Sequence, residues 1–564
     1  MSKQLRNQFM DVSAVLLEAS KTGMGMFCES YFLFAVGNMK SIWQVAYPTC
    51  FSAGEPTNSS DFCEDVNVSS LTYVEIAFVI LGMLFFGTIG EDIGRKLHSR
   101  STISLMLLGG ILMTAASSPT NTSDLFIMFS VGLVILAIGV GGEYSAASST
   151  SSEDAEVLWA NKRGRSVGLT FTMQGWGNWT NTLVLFVLVV GLNTSGCVPH
   201  VDGPHTNTPD CQSGGLEWSW RGSYFIGLFF ILCAMLYRFT LLDNSAVWIE
   251  RQDEIEHLDK AEASKQRHNM NRTFFLDSFN FLRLVGCSLN WFLWDIVFYG
   301  NKLFQTTIIA VTLGKSPTLY DIYSATLINS TVALVGYYFM SLTIDYKWMG
   351  RRNMQAMGFV ALLILFLVCG YEYNYLIKPE NIAGFRAIYY LSSFFGQWGP
   401  NGTTFVLPAE LFATDVRPFA HGISASWGKL GALVATIVFS LGAGGKALSV
   451  QEIFIVNGYV SLAGLALTIL LTPDTMDVTL HEVDRLWKAK LEGTEYIGSA
   501  LATSNLSLLE RVWIVPQSVQ AQSNEFVKSR PAPHHYGGEQ DKPSELGKES
   551  EPGTPNDETA VTIV

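Results

Sequence analysis

One carboxylate lies inside a long apolar stretch of the sequence, and it is the residue with the clearest capacity for chemistry. Asp295 falls within the apolar run from residue 281 to residue 313. Trp291 precedes it by four residues and Tyr299 follows it by four, so on a helix the three side chains share one face. An ionisable group in a membrane-spanning helix is costly unless it faces a cavity or a partner, so this face predicts a functional site.

The composition indicates a membrane protein that crosses the bilayer many times. Hydrophobic residues make up 48% of the 564 residues and charged residues only 15%, whereas a soluble chain carries roughly 25% charged residues. The formal net charge of -13 excludes a general nucleic-acid-binding role. We expect no cleavable signal peptide, because the N-terminal residues are mixed and polar.

Apolar runs of about 20 residues, the length that crosses a bilayer, predict about twelve spans. A polar segment divides them six and six, and two similar six-helix halves are the architecture of major facilitator transporters. We therefore expect an all-α membrane protein with the major facilitator fold, in which twelve transmembrane helices form two pseudo-symmetric halves. The expected segments are a cytoplasmic N-terminus (1–20), an N-terminal half (21–242), a cytoplasmic linker (243–280), a C-terminal half (281–473) and a cytoplasmic tail (474–564).

The tail is expected to be largely disordered, above all from about Gln517 onward, where Ser, Pro, Gly and Glu dominate. Before that point an apolar stripe at helical spacing is expected to lie against the membrane or the helix bundle. The stripe consists of Leu480, Val483, Trp487 and Leu491. The last residues, Thr562-Ile563-Val564, form a weak candidate for a PDZ-type ligand, and an ordinary tail end is the simpler interpretation.

The charges of the loops predict how the protein lies in its membrane. Loops 46–70 and 193–219 contain acidic residues and no Lys or Arg, whereas loops near 95–100, 162–165 and 347–352 are basic. Basic loops remain on the cytoplasmic side. We therefore expect a multi-pass membrane protein with both termini in the cytoplasm, and the glycan acceptors described next favour the plasma membrane.

Cysteines and glycosylation sequons fall in the loops expected on the other side. Disulfides and glycans both belong to the oxidising, luminal side. We expect two disulfides, Cys50–Cys63 and Cys197–Cys211. The expected glycan acceptors are Asn58, Asn67, Asn121 and Asn193.

The stretch Gly87-Thr-Ile-Gly-Glu-Asp-Ile-Gly-Arg-Lys96 resembles the inner-loop motif of the major facilitator superfamily. Its glycines permit a tight turn and a close helix approach. A degenerate echo, Asp345-Tyr-Lys-Trp-Met-Gly-Arg351, follows the eighth predicted span. We expect charge pairing in these motifs to lock the cytoplasmic end. The inner-gate residues are Gly87, Glu91, Gly94, Arg95, Asp345 and Arg351.

Three longer stretches resemble the phosphate:proton symporters of plants and fungi. Trp291–Gln305 resembles their seventh span, Gly399–Phe412 their tenth, and His421–Ala432 their eleventh. The resemblance covers roughly residues 20–475.

The first half is similar to that family but diverges at its acidic residues. In Glu29-Ser-Tyr-Phe-Leu-Phe34, the residues Glu29 and Phe32 stand where the family has two Asp residues. In Gly141-Gly-Glu-Tyr144, the residue Glu143 again stands for Asp. The missing second acid of the first span removes part of the proton route that the resemblance implies.

The resemblance implies a phosphate site between the two halves. Its substrate-binding residues are Tyr144, Gln174, Trp291, Asp295, Tyr299, Asn401 and Lys429, and its proton-coupling residues are Glu29, Glu143 and Asp295. The chemistry is consistent with this assignment, because Lys429 supplies positive charge and the amides and phenols supply neutral hydrogen-bonding groups.

We therefore expect a secondary active transporter that imports inorganic phosphate by proton symport through alternating access. Its expected partners are inorganic phosphate, protons and the lipid bilayer, and no nucleic acid. Two alternatives remain open, namely a porter for an organic phosphate ester or other organic anion, and a phosphate transceptor or sensor. We expect no enzyme, cofactor or metal site, because no nucleophile–base pair, metal-ligand cluster or phosphate-cradling loop stands out.

Overall fold

The structure is a computed structural model. It describes residues 21–47, 50, 68–117, 122–159, 162–199, 211–242, 270, 272–302, 305–313, 317–441 and 448–529. These ranges contain helices and no strand, which confirms the all-α prediction.

The described part of the first half contains six helices. They are α1 (residues 21–33), α2 (Ala35–Ala46), α3 (Val68–Ala115), α4 (Thr122–Trp159), α5 (Arg163–Gly191) and α6 (Ser213–Thr240). In the second half the helices are α7 (Ser278–Lys302), α8 (Gln305–Leu313), α9 (Leu319–Thr343), α10 (Gly350–Tyr371), α11 (Tyr373–Leu376), α12 (Ile382–Gly396), α13 (Gly402–Leu411), α14 (Arg417–Leu441) and α15 (Val450–Leu471). Two more, α16 (Leu480–Glu492) and α17 (Gln517–Ser529), follow them.

Among the described helices, eight are long and apolar enough to cross a membrane. Other predicted spans are interrupted within their length. Helices α1 and α2 meet at Phe34, and a π-helical turn that contains Pro400 separates α12 from α13. Proline removes a backbone donor and clashes with the preceding turn, so the helix cannot continue unchanged through it.

Two glycines make sharp backbone breaks at corresponding places in the two halves. Gly94 interrupts α3 with φ +74°, and Gly350 begins α10 with φ +59°. Both conformations favour glycine, and each glycine precedes an arginine, Arg95 or Arg351. At Gly350 an added Cβ atom would also lie 2.3 Å from an Asp474 carboxylate oxygen. The motif and its echo therefore share this backbone feature.

We name the two ends of the helix bundle by their loops. The basic end carries the turns at Arg95, Lys162 and Arg351, and the disulfide end carries the Cys197–Cys211 disulfide, whose Cα atoms are 4.8 Å apart. The disulfide loop also joins the halves, because the backbone N–H of Leu319 on α9 donates to the Cys197 carbonyl at 2.8 Å.

The other residues predicted for this end are described only in part. Cys50 is disulfide-bonded, while Cys63 lies outside the described residues. Asn193 is exposed beside the disulfide loop. Three predicted acceptors, Asn58, Asn67 and Asn121, also lie outside the described residues.

The prediction of a largely disordered tail is wrong for residues 474–529, which fold against the basic end. Val483 and Trp487 of the predicted stripe are buried in an apolar cluster with Phe274 and Phe412, although Leu491 is 42% exposed. The ion pair between Arg283 and Glu510 adds a buried contact at 2.6 Å. Composition missed this fold because the segment's partners come from distant parts of the chain. Residues 530–564, with Thr562-Ile563-Val564, lie outside the described residues.

Candidate functional site

The centre of the bundle contains a buried ion pair between two helices of the second half. Helix α7 carries Asp295, and α14 carries Lys429. The Lys429 ammonium donates to a carboxylate oxygen of Asp295 at 3.0 Å, and each side chain is only 2% exposed. A buried charge needs a partner, and each group of this pair supplies the partner of the other.

Aromatic rings surround the ammonium on two sides. Lys429 Nζ lies 4.7 Å from the ring centroid of Tyr144 and 4.6 Å from that of Tyr299. Such contacts stabilise a cation electrostatically without neutralising it. Trp291 packs against Tyr144 with a centroid distance of 6.4 Å, and against His421 at 5.4 Å. Residues of both halves therefore contact the ammonium, because Tyr144 comes from α4 of the first half and Tyr299 from α7 of the second.

We call the Lys429 ammonium and the groups around it, Asp295, Tyr144 and Tyr299, the central cage. A chain of hydrogen bonds runs from the central cage across the interface of the halves. Gln174 on α5 donates to the Tyr144 hydroxyl at 3.0 Å and accepts from the Tyr337 hydroxyl at 2.8 Å. Asn401 then donates to Tyr337 at 2.9 Å and accepts from the Trp294 indole N–H at 2.7 Å. We call these four side chains beyond Tyr144, namely Gln174, Tyr337, Asn401 and Trp294, the amide–phenol network.

The structure thus brings together all of the predicted substrate-binding residues. Tyr144, Gln174, Trp291, Asp295, Tyr299, Asn401 and Lys429 are buried and linked by hydrogen bonds or ring contacts. Sequence reasoning missed Tyr337 and Trp294. A signal for Tyr337 was present, because a phenol in the middle of a span needs a hydrogen-bond partner.

Two acids of the first half lie buried near the cage. Glu29 on α1 accepts a hydrogen bond from the Tyr144 hydroxyl at 2.9 Å, and its second oxygen has no partner among the described residues. Glu75 on α3 is 1% exposed, and one of its oxygens also lacks a described partner. The charges of the two carboxyl groups interact electrostatically.

Glu75 was not among the predicted residues, although the rule that selected Asp295 applies to it equally. It is an acid within the apolar segment Leu71–Gly90. Through Tyr224, Glu75 is also connected to Phe32, the residue that stands where the family has the second acid of the first span. Phe32, which stands in that acid's place, stacks on Tyr224 at 5.7 Å, and Tyr224 interacts electrostatically with Glu75.

Glu143 has a different environment from Glu29 and Glu75. Both of its carboxylate oxygens accept hydrogen bonds from the Arg238 guanidinium, each at 2.6 Å. Thr102 donates a further hydrogen bond to it. A two-bond Arg–carboxylate pair is the strong, geometrically fixed form of ion pairing. This pairing argues against the proton-carrying role expected for Glu143, and the sequence pattern did not reveal Arg238 as its partner.

At the basic end, the arginine of the inner-loop motif binds an acid from outside the motif. Arg95 pairs with Glu153 of α4 at 2.6 Å, and Arg417 of the second half lies 3.7 Å from the same acid. The side chain of Glu91 lies outside the described part of the structure. Gly87 approaches α14 closely, since an added Cβ atom would lie 3.3 Å from the Gly422 Cα atom.

A corresponding cluster forms around Glu410 in the second half. Glu410 pairs with Arg351 at 2.8 Å and with Arg163 of the first half at 3.0 Å. Asp345 pairs with Arg351 at 3.0 Å, as the echo of the motif predicts, and also accepts from the Arg165 backbone N–H at 2.8 Å. The two clusters therefore hold the halves together at the basic end, with each central acid contacting an arginine of the other half.

An open cavity lies on the disulfide-end side of the amide–phenol network. We call this space the outer cavity. Its wall on the side of the network is formed by Tyr337, Trp294 and Gln397. Its polar lining includes Asn178, Asn301, Lys302, Gln305, Asn329 and Ser392. The structure thus combines a closed basic end with space on the opposite side of the central cage.

Comparison with known proteins agrees with this architecture. The sequence profile of the family described as "Sugar (and other) transporter" matches residues 24–487. The inorganic phosphate transporter 1-6 of Oryza sativa subsp. japonica is 31% identical over 454 residues, which cover 74% of this chain and 80% of that relative. The probable inorganic phosphate transporter 1-6 of Arabidopsis thaliana is 29% identical over 515 residues, which cover 85% and 94%.

Solved structures share the fold at low sequence identity. A double-tryptophan variant of XylE aligns with a TM-score of 0.62 and 17% identity, covering 84% of this chain and 99% of that one. The major facilitator proton:xylose symporter XylE bound to 6-bromo-6-deoxy-D-glucose aligns with a TM-score of 0.58, also at 17% identity and over 84% and 99% of the two chains. The chain therefore belongs to the family of sugar and other transporters, and it shares the fold of a major facilitator symporter.

Proposed function

We propose that this protein moves inorganic phosphate across a membrane together with protons, by alternating access between its two halves. The observation that carries the proposal is the buried Lys429–Asp295 pair, which lies among neutral hydrogen-bonding groups supplied by both halves. The names of two relatives, an inorganic phosphate transporter of Oryza sativa and a probable one of Arabidopsis thaliana, support the same substrate.

The ion pair links anion binding to proton binding. A phosphate oxygen that binds Lys429 competes with the Asp295 carboxylate, which lies 3.0 Å from the ammonium. Protonation of Asp295 removes this competition and the repulsion between two anions. The protonated carboxyl also gains an O–H donor that can face a phosphate oxygen. A proton on Asp295 therefore favours phosphate at Lys429, and loss of that proton favours release.

Glu29 and Glu75 are the groups best placed to carry further protons. A buried carboxylate without a partner is costly, so burial favours the protonated form of such a group. Glu29 also contacts the central cage directly, because it accepts a hydrogen bond from the Tyr144 hydroxyl. We assign Glu143 a structural role instead, because the Arg238 guanidinium occupies both of its oxygens.

Alternating access requires the basic end to open when the disulfide end closes. The contacts that must break are the ones that cross between halves, Arg163 with Glu410 and Arg417 with Glu153. We place the basic end and both chain termini in the cytoplasm, following loop charge. In this arrangement the observed state accepts phosphate from outside.

The remaining features of the chain fit a transporter of the plasma membrane. We propose a first half over residues 21–242, a cytoplasmic linker over 243–280 and a second half over 281–473. The exposed Asn193 lies on the proposed outer side and is available for a glycan. Membership in a transporter family supports a role in moving a solute rather than in catalysing a reaction.

A second candidate substrate is an organic phosphate ester or another organic anion. The outer cavity favours it, because its wall combines apolar and aromatic side chains with a few polar groups, as in pockets that hold small organic ligands. In this case Lys429 binds the anionic group and the cavity holds the organic part.

Uptake of labelled phosphate into sealed proteoliposomes tests the proposal. We expect uptake that requires an inward pH gradient, does not respond to an inward sodium gradient, and disappears in Lys429→Gln. The matched control is Lys378→Gln, which removes an exposed lysine at the disulfide end. Uptake driven by sodium overturns the proton coupling. Absence of phosphate flux under both gradients, from folded protein that instead carries an organic phosphate, overturns the substrate.

A further inference from the structure

We propose that the outer cavity holds a second phosphate-binding site, anchored by Lys302 and separate from the site at Lys429. This inference rests on the proposed function, since it concerns how the transported anion reaches the central cage. The ligand class is a phosphate group that carries at least one hydroxyl, free or as part of a monoester.

Lys302 supplies the cationic side chain that such a site requires, and a nearby anion favours its charged form. Its ammonium group contacts the Gln305 side-chain oxygen at 2.5 Å and lies 5.6 Å from the Phe34 ring centroid. No carboxylate of the described residues forms an ion pair with it. In this respect Lys302 differs from Lys429, whose charge Asp295 balances. A cation in a cavity wall without a counter-ion attracts an anion.

The neighbouring amides supply hydrogen-bonding groups that no described residue satisfies. The Gln305 side-chain N–H₂ group is buried and has no partner in the described part of the chain, so it offers a donor beside the ammonium. The side-chain oxygens of Asn178, Asn301 and Asn329 are likewise buried without described partners and offer acceptors. All four side chains line the outer cavity. Buried polar groups are normally paired, so such a set indicates a bound polar ligand or water.

The mixture of donors and acceptors selects the ligand. Phosphate oxygens accept from Lys302 and Gln305, while a phosphate hydroxyl donates to an amide oxygen. A fully deprotonated oxyanion such as sulfate satisfies the donors but leaves the acceptors unpaired. The site therefore favours a phosphate monoanion that carries hydroxyl groups.

The position of the cavity makes it a preceding site on the route to Lys429. Lys302 follows Asp295 by seven residues on α7, which corresponds to about 10 Å along the helix. Trp294 and Tyr337 belong both to the wall of the outer cavity and to the amide–phenol network. Phosphate bound at Lys302 therefore reaches the central cage when this network rearranges. Because the network lies between the two sites, one ion cannot occupy both at once.

Equilibrium binding of labelled inorganic phosphate to purified protein separates the two sites. We expect Lys429→Gln to abolish transport but to retain binding of about one phosphate per protein, and the double variant Lys429→Gln with Lys302→Met to lose it. If Lys429→Gln binds no phosphate while the wild type transports it, the outer site does not exist and the proposed function stands. If the wild type neither binds nor transports phosphate, the proposed function falls and the inference falls with it.

Transport kinetics of single variants provide a second test that leaves the central cage intact. We expect Lys302→Met to raise the KM for phosphate about tenfold while the maximal rate changes less than about twofold. Lys302→Arg should restore the low KM, and Gln305→Met, which keeps the charge, should raise it by a smaller factor. The exposed Lys378→Met serves as the matched control. An unchanged KM in both Lys302→Met and Gln305→Met overturns the inference, as does an equal rise in Lys378→Met.

Competition distinguishes free phosphate from a monoester as the natural occupant. Glycerol 3-phosphate should compete weakly if the site serves inorganic phosphate, and more strongly than phosphate itself if the site serves a monoester. Both results support a phosphate-group site. If sulfate displaces phosphate as well as unlabelled phosphate does, the proposed hydroxyl recognition is wrong.

Discussion

The Lys429 ammonium and the Asp295 carboxylate are 3.0 Å apart and almost fully buried, with the rings of Tyr144 and Tyr299 flanking the cation. In this state each charge is the other's partner. An entering anion therefore cannot bind Lys429 at full strength until Asp295 is neutralised. We propose that the pair acts as a local coupling device, in which a proton on Asp295 frees Lys429 for substrate.

Glu75→Gln should reduce proton-driven phosphate uptake severalfold, with exchange of external for internal phosphate nearly unchanged. The amide preserves shape but cannot carry the proton, and phosphate exchange requires no net proton movement. Glu29→Gln should behave in the same way. The exposed Glu380→Gln is the control. Equal loss of uptake and exchange in Glu75→Gln indicates a structural role and contradicts the assignment.

Arg238→Met should destabilise the folded protein by about 3 to 5 kcal/mol, because it leaves the buried carboxylate of Glu143 without its partner. The double variant Arg238→Met with Glu143→Met should recover most of that loss, as a double-mutant cycle in thermal unfolding would measure. The exposed Glu217→Gln, which breaks an ordinary surface pair with Arg221, should cost less than about 1 kcal/mol. A double variant no more stable than Arg238→Met would show that the pair does not act as a unit.

Glu410→Gln should open the basic end, because this acid holds Arg163 of one half and Arg351 of the other. A cysteine at Ser341 reports the change, since the Ser341 hydroxyl lies 3.1 Å from that of Thr172 across the halves. Labelling of Ser341→Cys by an impermeant thiol reagent from the basic side should quicken at least about threefold. The same labelling rate in Glu410→Gln as in the exposed Glu492→Gln would contradict the gate assignment.

Arg283→Met should loosen the folded part of the tail. It removes the buried partner of Glu510. This loss should destabilise the packing of the tail in the apolar cluster that contains Trp487. Limited proteolysis within residues 474–529 should accelerate at least about tenfold, since cleavage follows local opening. Lys488→Met, at an exposed position of α16, should leave the rate unchanged. Resistance in both variants would show that the apolar contacts alone retain the tail.

Local sequence information was sufficient for the fold and for the face of α7 that carries Asp295, whereas the binding residues on the other helices followed from the resemblance to phosphate:proton symporters. Apolar runs report membrane spans directly, because the bilayer imposes their length. Asp295 stood out for the converse reason, as an acid that a span must compensate. Its neighbours at four-residue spacing then followed from helix geometry, and the structure places Trp291 and Tyr299 beside it in the cage.

Long-range pairing was beyond the reach of the sequence patterns. Glu143 and Arg238 are 95 residues apart in the chain, and Arg163 and Glu410 are 247 apart, so nothing local connects them. Composition also failed for the tail, because burial of Val483 and Trp487 depends on a surface built by other elements. Glu75 is a different case, because it is also an acid within an apolar span and the rule that selects Asp295 applies to it equally.

The most direct test of the account is the proton uptake that accompanies phosphate binding to purified protein at about pH 5.5, where phosphate is largely a monoanion. Calorimetry in buffers of different ionisation enthalpy measures it. We predict uptake of up to about one proton per phosphate bound at Lys429, and essentially none in Asp295→Asn, which should still bind phosphate. Proton uptake by Asp295→Asn equal to that of the wild type would contradict the claim that the Lys429–Asp295 pair couples the two ligands.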